Sequence, residues 1–192
     1  MRVKKLILIP VLAMTLAACG LAEWVKAAQE ILPVVLPMVT NMVTAVSLLE
    51  GKTVSPTDLN TISQTANQVS ADLNLVGQLV NQYQSSPSPT TLSKINNALV
   101  DVNAHLNALM PALHISDPAT VQKISAIATL ITSEVTSMEQ ILPIVSGNQT
   151  HAMSRVAAPL SAAQLKSRYD AIVTQPSTNT DVDAVFAKAV LK

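Results

Sequence analysis

Three short segments decide the fold: Ser55-Pro56-Thr57-Asp58-Leu59, Ser88-Pro89-Thr90-Thr91-Leu92 and Asp117-Pro118-Ala119-Thr120-Val121, with prolines 33 and 29 residues apart. Each places a side-chain oxygen immediately before a proline. That oxygen can accept one of the orphan N–H groups of a first helical turn. Proline at the first helical position has no N–H to leave unpaired and already holds a helical φ. The segments therefore predict three helix starts. Counting from each proline, offsets 3, 6, 10, 13, 17, 20 and 24 hold Leu59, Ile62, Ala66, Val69, Leu73, Val76 and Val80 in the first repeat. The second holds Leu92, Ile95, Leu99, Val102, Leu106, Leu109 and Leu113, and the third Val121, Ile124, Ala128, Ile131, Val135, Met138 and Leu142. All 21 positions are apolar. Spacing that alternates three and four lays one stripe along each helix, the seam of left-handed helix packing, whereas strands need a period of two.

Toward the N-terminus, Trp24, Ala28, Ile31, Val35, Met38, Met42, Ala45 and Leu49 continue the same spacing through residues 23–50, and Gly51 offers a stop. This first helix is apolar on its flanks too, at Leu32, Val34, Leu36, Val39, Val43, Val46 and Leu48. Residues 31–49 carry no charge and are long enough to span a bilayer. Thr40, Asn41, Thr44 and Ser47 favour a buried central helix instead, as do Pro33 and Pro37, which remove hydrogen bonds and should bend it. An interfacial helix is the third reading. The connections at residues 51–55, 85–88 and 115–117 are short, so neighbouring helices should reverse direction. The expectation is an all-α, antiparallel up-down-up-down four-helix bundle over residues 19–147, its helices about 40 Å long, with an open helical array as the alternative.

Composition agrees with this plan. The 192 residues are 49% hydrophobic but only 2% aromatic, so the core must be built from Leu, Val, Ile, Ala and Met. Four glycines leave no material for a phosphate-cradling loop, and one cysteine cannot close an internal disulfide. From residue 148 the balance changes: Arg155, Lys166, Arg168, Lys188 and Lys192 outnumber Asp170, Asp181 and Asp183, whereas residues 23–146 carry four basic and nine acidic side chains. Residues 148–192 should form a short helical or partly disordered tail. Two helices are expected near residues 159–173 and 181–191, with Leu160, Leu165, Ile172, Val182, Val185, Phe186 and Val190 able to dock loosely. Docking on the bundle, binding a partner and disorder all stay open for it.

The N-terminus carries the address. Arg2, Lys4 and Lys5 precede an uncharged apolar run over residues 6–18 that is too short to cross a bilayer comfortably, the pattern of an export signal. The run ends Leu16-Ala17-Ala18-Cys19. This resembles the lipobox of bacterial lipoproteins at all four positions. The resemblance covers only about the first 20 residues and leaves the mature domain without a family. It implies that Cys19 is acylated, that residues 1–18 are a signal peptide recognised through Leu16, Ala17 and Ala18, and that the membrane is the first partner. In a bacterium with two membranes, Gly20 in place of Asp resembles the default that sends such proteins to the outer membrane. Removing residues 1–18 leaves 9 basic against 12 acidic residues, which disfavours a nucleic-acid partner.

Chemistry is hard to place on these helices. The residues three before His105, His114 and His151 are Val102, Pro111 and Asn148, so no Glu-x-x-His pair exists for a di-iron site, and no two histidines share a face. No Gly-x-Ser-x-Gly elbow occurs, and Asp72, Asp101, Glu134 and Glu139 have no spacing that demands a carboxylate pair. Asn148-Gln149-Thr150 fits the glycosylation pattern by accident. His105 sits at the offset that holds Asp72 and Glu134 in the other repeats, a solvated flank or a pH-sensitive contact with one of those carboxylates. Trp24, five residues after Cys19, either rests in the headgroup layer or packs in the bundle. The reading is therefore a lipid-anchored cell-envelope protein, without cofactor or metal, acting as a non-catalytic structural or interaction module with an envelope protein partner. Alternatives are a carrier holding a lipid or other apolar ligand, suggested by the Met and Val surplus of the first helix, and a phage or mobile-element lipoprotein that blocks an envelope receptor.

Overall fold

The computed structural model describes residues 8–142 and 159–191, with side chains from residue 22 onward. Among the described residues there are six α-helices, one 3-10 turn and no strand: α1 (Leu8–Ser47), α2 (Pro56–Ser85), α3 (Pro89–Ala112), α4 (Pro118–Ile141), α5 (Ala162–Thr174) and α6 (Thr180–Phe186), the last running into the turn Ala187–Ala189. The four long helices pack together as a bundle, α1 beside α2, α2 beside α3, α3 beside α4 and α4 beside α1.

The three prolines begin their helices as the repeat requires. Ser55 accepts from the Asp58 N–H at 3.1 Å, Ser88 from the Thr91 N–H at 3.1 Å and Asp117 from the Thr120 N–H at 2.7 Å. The caps are reciprocal in a way the repeat does not advertise. Asp58, Thr91 and Thr120, each two residues after its proline, are buried, and each side chain bonds back to its own cap residue. Of the 21 stripe residues, all are buried except Leu59, Val121 and Leu113, which are half-buried at the terminal offsets of their repeats. Burying each large apolar side chain contributes about 1.5–3 kcal/mol, so the seam is the main source of cohesion.

The first helix departs from expectation at both ends. It begins by Leu8, so the helix runs through residues 16–19, and it stops at Ser47, short of Gly51. Residues 48–54 form a tight turn in which the N–H groups of Lys52, Thr53 and Val54 all point to the Leu49 carbonyl, and Gly51 takes φ +73°. A side chain with Cβ would be strained there. The helix is unbroken through Pro33 and Pro37, which sit on its exposed face, where the carbonyls they release can be hydrated. All eight stripe residues from Trp24 to Leu49 are buried.

The breadth of the apolar surface on α1 has a simple cause: residues 159–191 cover one flank. α5, α6 and the 3-10 turn pack on α1, and α5 also packs on α4. Of the seven residues expected to dock, Leu160, Ile172, Val185 and Val190 are half-buried against the core and Leu165, Val182 and Phe186 are buried within it. Leu165, Tyr169, Val173, Val182 and Phe186 are fully buried and belong to the same core as the bundle. The helices also start and stop differently from the sequence reading, α5 being capped by Ser161 in a reciprocal box with Gln164 and α6 by Asn179. The expected end of the fourth helix near Gly147, and the tripeptide Asn148-Gln149-Thr150, lie outside the described residues.

Candidate functional site

Leu16, Ala17, Ala18 and Cys19 fall on the backbone of α1, and their side chains lie outside those described. Cys19 stands five residues before Trp24, about 7 Å along a helix. Trp24 is 1% exposed and its Nε1 donates to the Met138 carbonyl at 2.8 Å, which fixes the start of the packed part of α1 against the end of α4. The indole is therefore a core residue. The apolar segment Ala22–Ser47, with mean hydropathy 1.5, is long enough to cross a membrane, but Ile31, Val35, Met38, Met42 and Val46 along it are buried in the bundle.

The most developed polar cluster joins α4 to α5. Lys123, Ile127, Leu130 and Glu134 form a second line on α4 with three-and-four spacing, and all four are buried. The Lys123 ammonium donates to the carbonyls of Ile172 at 2.9 Å, Val173 at 3.3 Å and Gln175, and lies 3.8 Å from Asp183. Glu134 accepts the Leu160 N–H at 2.9 Å, just before α5 begins. A carboxylate thus meets the N-terminal end of α5 and an ammonium its C-terminal end, as the helix dipole favours. Eleven residues of α4 separate the two charges by about 16 Å, which matches the 13 residues of α5. Burial lowers the Lys123 pKa, with Asp183 partly opposing, and burial raises that of Glu134 against the Leu160 N–H and Arg168. The Ser177 N–H outweighs burial at Asp183 and holds its carboxyl below the usual range. Burial first, then Asp170, pushes the Tyr169 phenol upward.

Further ties close the C-terminal unit. Asn41 donates to the Ala189 carbonyl at 3.0 Å, Asn179 to Asp117 at 3.0 Å and the Leu191 N–H to Asp170 at 2.9 Å, while Lys166 bonds the Leu191 carbonyl. Burial pushes the Asp117 carboxyl up, but hydrogen bonds from Asn179 and Thr120 outweigh it and leave it below the ordinary value.

An open cleft of about 280 Å³ lies where the α1–α2 and α3–α4 connections meet, lined in part by Lys52, Thr53, Ser55, Asp58, His114 and Ser116. Its carboxylate is already committed. Asp58 accepts the Ser55 hydroxyl at 2.6 Å and the His114 N–H at 2.8 Å, and these two bonds, the hydroxyl first, depress its pKa. The His114 ring is 4.0 Å away and 86% exposed. The cleft therefore ties the end of α3 to the start of α2. Midway along the same pair of helices, His105 Nδ1 lies 3.0 Å from Asp72, so of the two carboxylates at its repeat offset it meets Asp72. Glu134, the other, is engaged with Leu160.

The structure thus uses its buried charges to join helices. Among the described residues, no three His, Cys, Asp or Glu side chains converge on a point where a metal could bind. Sequence reasoning missed Lys123 and Glu134. The available signal was the second line on α4, in which Ile127 and Leu130 lie off the main stripe. Compared with family models, curated proteins and solved structures, the chain matches none.

Proposed function

We propose that this chain is a lipid-anchored protein of the bacterial cell envelope whose bundle runs up-down-up-down and serves as a non-catalytic structural or interaction module. The observation that carries the reading is Leu16-Ala17-Ala18-Cys19, placed after three basic residues and a short apolar run. Two or three acyl chains, at about 0.8 kcal/mol per buried methylene, would hold the protein on a membrane without a spanning helix. The buried stripe of α1 supports anchoring over spanning. In a source with two membranes the outer membrane is the destination, and the further partner is an envelope protein.

Opposed helix directions are supported by bonds between unlike ends. Gln29 near the start of the packed part of α1 reaches Gln84 at the end of α2, the His114 N–H after α3 reaches Asp58 at the start of α2, and Thr53 after α1 reaches Thr120 at the start of α4. In this arrangement the α2–α3 turn and the end of α4 lie near the anchor, and the cleft is carried about 40 Å above it. The non-catalytic reading is supported by the buried charged residues Asp58, Lys123 and Glu134, each of which is bonded to another element. Met38, Met42 and Met138 are at most 1% exposed within the core, which favours packing over the lining of a ligand groove. Detergent phase partitioning of the chain expressed in a bacterium tests the reading. Wild type should enter the detergent phase and Cys19→Ser should remain an unprocessed precursor; equal partitioning and equal length of the two would defeat it.

A further inference from the structure

The three connections between the long helices differ in charge. The α1–α2 connection carries Glu50 and Lys52, and the α3–α4 connection carries His114 and Asp117. The α2–α3 turn carries none and lies within residues 73–93, a stretch without a charged side chain. Ser85, Ser86, Pro87, Pro89 and Thr90 are exposed there. Much of its polar content is satisfied from within: the Ser86 N–H donates to the Gln82 carbonyl at 2.8 Å, the Ser85 hydroxyl to the Asn81 carbonyl at 3.0 Å and the Thr91 N–H to the Ser88 hydroxyl at 3.1 Å. Pro87 and Pro89 have no N–H to hydrate. Taking water away from such a turn costs little. The charges of the same end, Glu23, Lys26, Glu30, Lys94 and Glu139, stand on the helices beside it.

We infer that the α2–α3 turn is a second membrane contact, resting among the lipid headgroups, so that the bundle stands steeply on Cys19 and this turn. The inference rests on the anchoring and the helix directions proposed above. α1 runs without a break from Cys19 into the core, where the Trp24 indole is tied to Met138. From Cys19 to Trp24 the helix rises about 7 Å, and even a fully extended chain would reach only about 17 Å. The Gln29–Gln84 bond at 3.1 Å sets the height of the turn. Gln29 stands about 15 Å along the helix from Cys19, and the turn hangs about 4 Å lower, at about 11 Å. The acyl chains hold Cys19 at the edge of the hydrocarbon, and the headgroup layer beyond that edge is about 5–7 Å deep. The turn lies about one helix diameter, or about 10 Å, to the side of α1, so a tilt of about 30° brings it into that layer. The same stance carries the opposite connections about 35 Å above the anchor.

The lipid would occupy Cys19, the only native thiol, so an introduced cysteine is a unique probe. The full-length chain carrying Ser86→Cys, Val100→Cys or Ser116→Cys is recovered from bacterial membranes, labelled there with a small fluorophore and placed in vesicles of phosphatidylethanolamine and phosphatidylglycerol with a nitroxide on some headgroups. Positions 86 and 116 should differ in height by about 30 Å, so quenching at 86 should exceed that at 116 and at 100 by about threefold or more. Inserting about twenty Gly and Ser residues between Ala22 and Glu23, a mean reach of about 25 Å, should lower quenching at 86 to near that at 100. In an acylated chain that floats with the vesicles, quenching at 116 equal to that at 86 would overturn the contact. Quenching at 100 as strong as at 86 would overturn the steep stance, since the bundle would then lie on its side. A position-86 thiol that resists maleimide in detergent would also overturn the contact, because residues 143–158, which follow Leu142 at the same end, would then cover the turn. An intact mass without lipid on Cys19 would instead overturn the anchoring, and the stance with it.

Discussion

Lys123→Met removes an ammonium from the α4–α5 junction while keeping most of the apolar stem that packs there. The nitrogen bonds three carbonyls at the end of α5 and faces Asp183, and the side chain is 4% exposed. Charge-assisted hydrogen bonds contribute about 1.5–3 kcal/mol each, but relief of the buried charge returns several kcal/mol. Asp183, 25% exposed, can also regain water. The net cost should be about 2–3 kcal/mol, which for a chain of this size lowers Tm by about 5–10 °C. The loss should be local as well as global, so amide exchange in α5 should accelerate more than exchange in α2 or α3. Lys94→Met, at the same repeat offset but exposed, is the control and should change stability by no more than about 0.5 kcal/mol. Far-ultraviolet circular dichroism melts with residue-resolved exchange provide the readout. Equal melting of the two variants, with α5 as protected as in wild type, would refute the clamp.

Leu106→Asp places an unpaired charge at a 3% exposed seam position and should cost about 4 kcal/mol or more, enough to unfold a marginal bundle; unchanged helicity and melting would contradict the seam. Trp24→Phe keeps a ring but strands the Met138 carbonyl, so a loss of about 1–2 kcal/mol in chemical denaturation is expected. Glu134 has its carboxyl pKa raised by burial, so its contribution is complete below the ordinary unfolded value near pH 4 and is lost as pH rises through the folded value. Glu134→Gln, which keeps an acceptor for Leu160, should therefore be more stable than wild type at neutral pH, with the gap closing below about pH 4 in urea titrations. Asp117 behaves oppositely: its pKa is lowered, its contribution is present above about pH 4 and is lost as pH falls, and Asp117→Asn should flatten that acid limb.

The long helices were legible because their signals are local and repeated. A cap residue, a proline and a three-and-four stripe specify each start and face without knowledge of the rest of the chain. The C-terminal unit was not legible to the same degree because its stability comes from long-range partners. Lys94 and Lys123 stand at the same offset in consecutive repeats, yet one is exposed and the other buried, and what separates them is whether α5 lies over the position. The same holds at the offset shared by Asp72, His105 and Glu134, where two residues pair with each other across α2 and α3 and the third turns to Leu160. The broad apolar surface of α1 was visible in the sequence, but whether a membrane or a protein layer covered it was not encoded locally. The Trp24 indole shows the limit most clearly, since its partner lies 114 residues away.

The central claim concerns attachment, and the most direct test is the intact mass of full-length protein recovered from bacterial membranes beside a Cys19→Ser version. The expected species begins at Cys19 and carries the added mass of two or three acyl chains, and it is absent from the Ser variant. A chain that retains Met1 without lipid would contradict the account and return residues 31–49 to consideration as a membrane span.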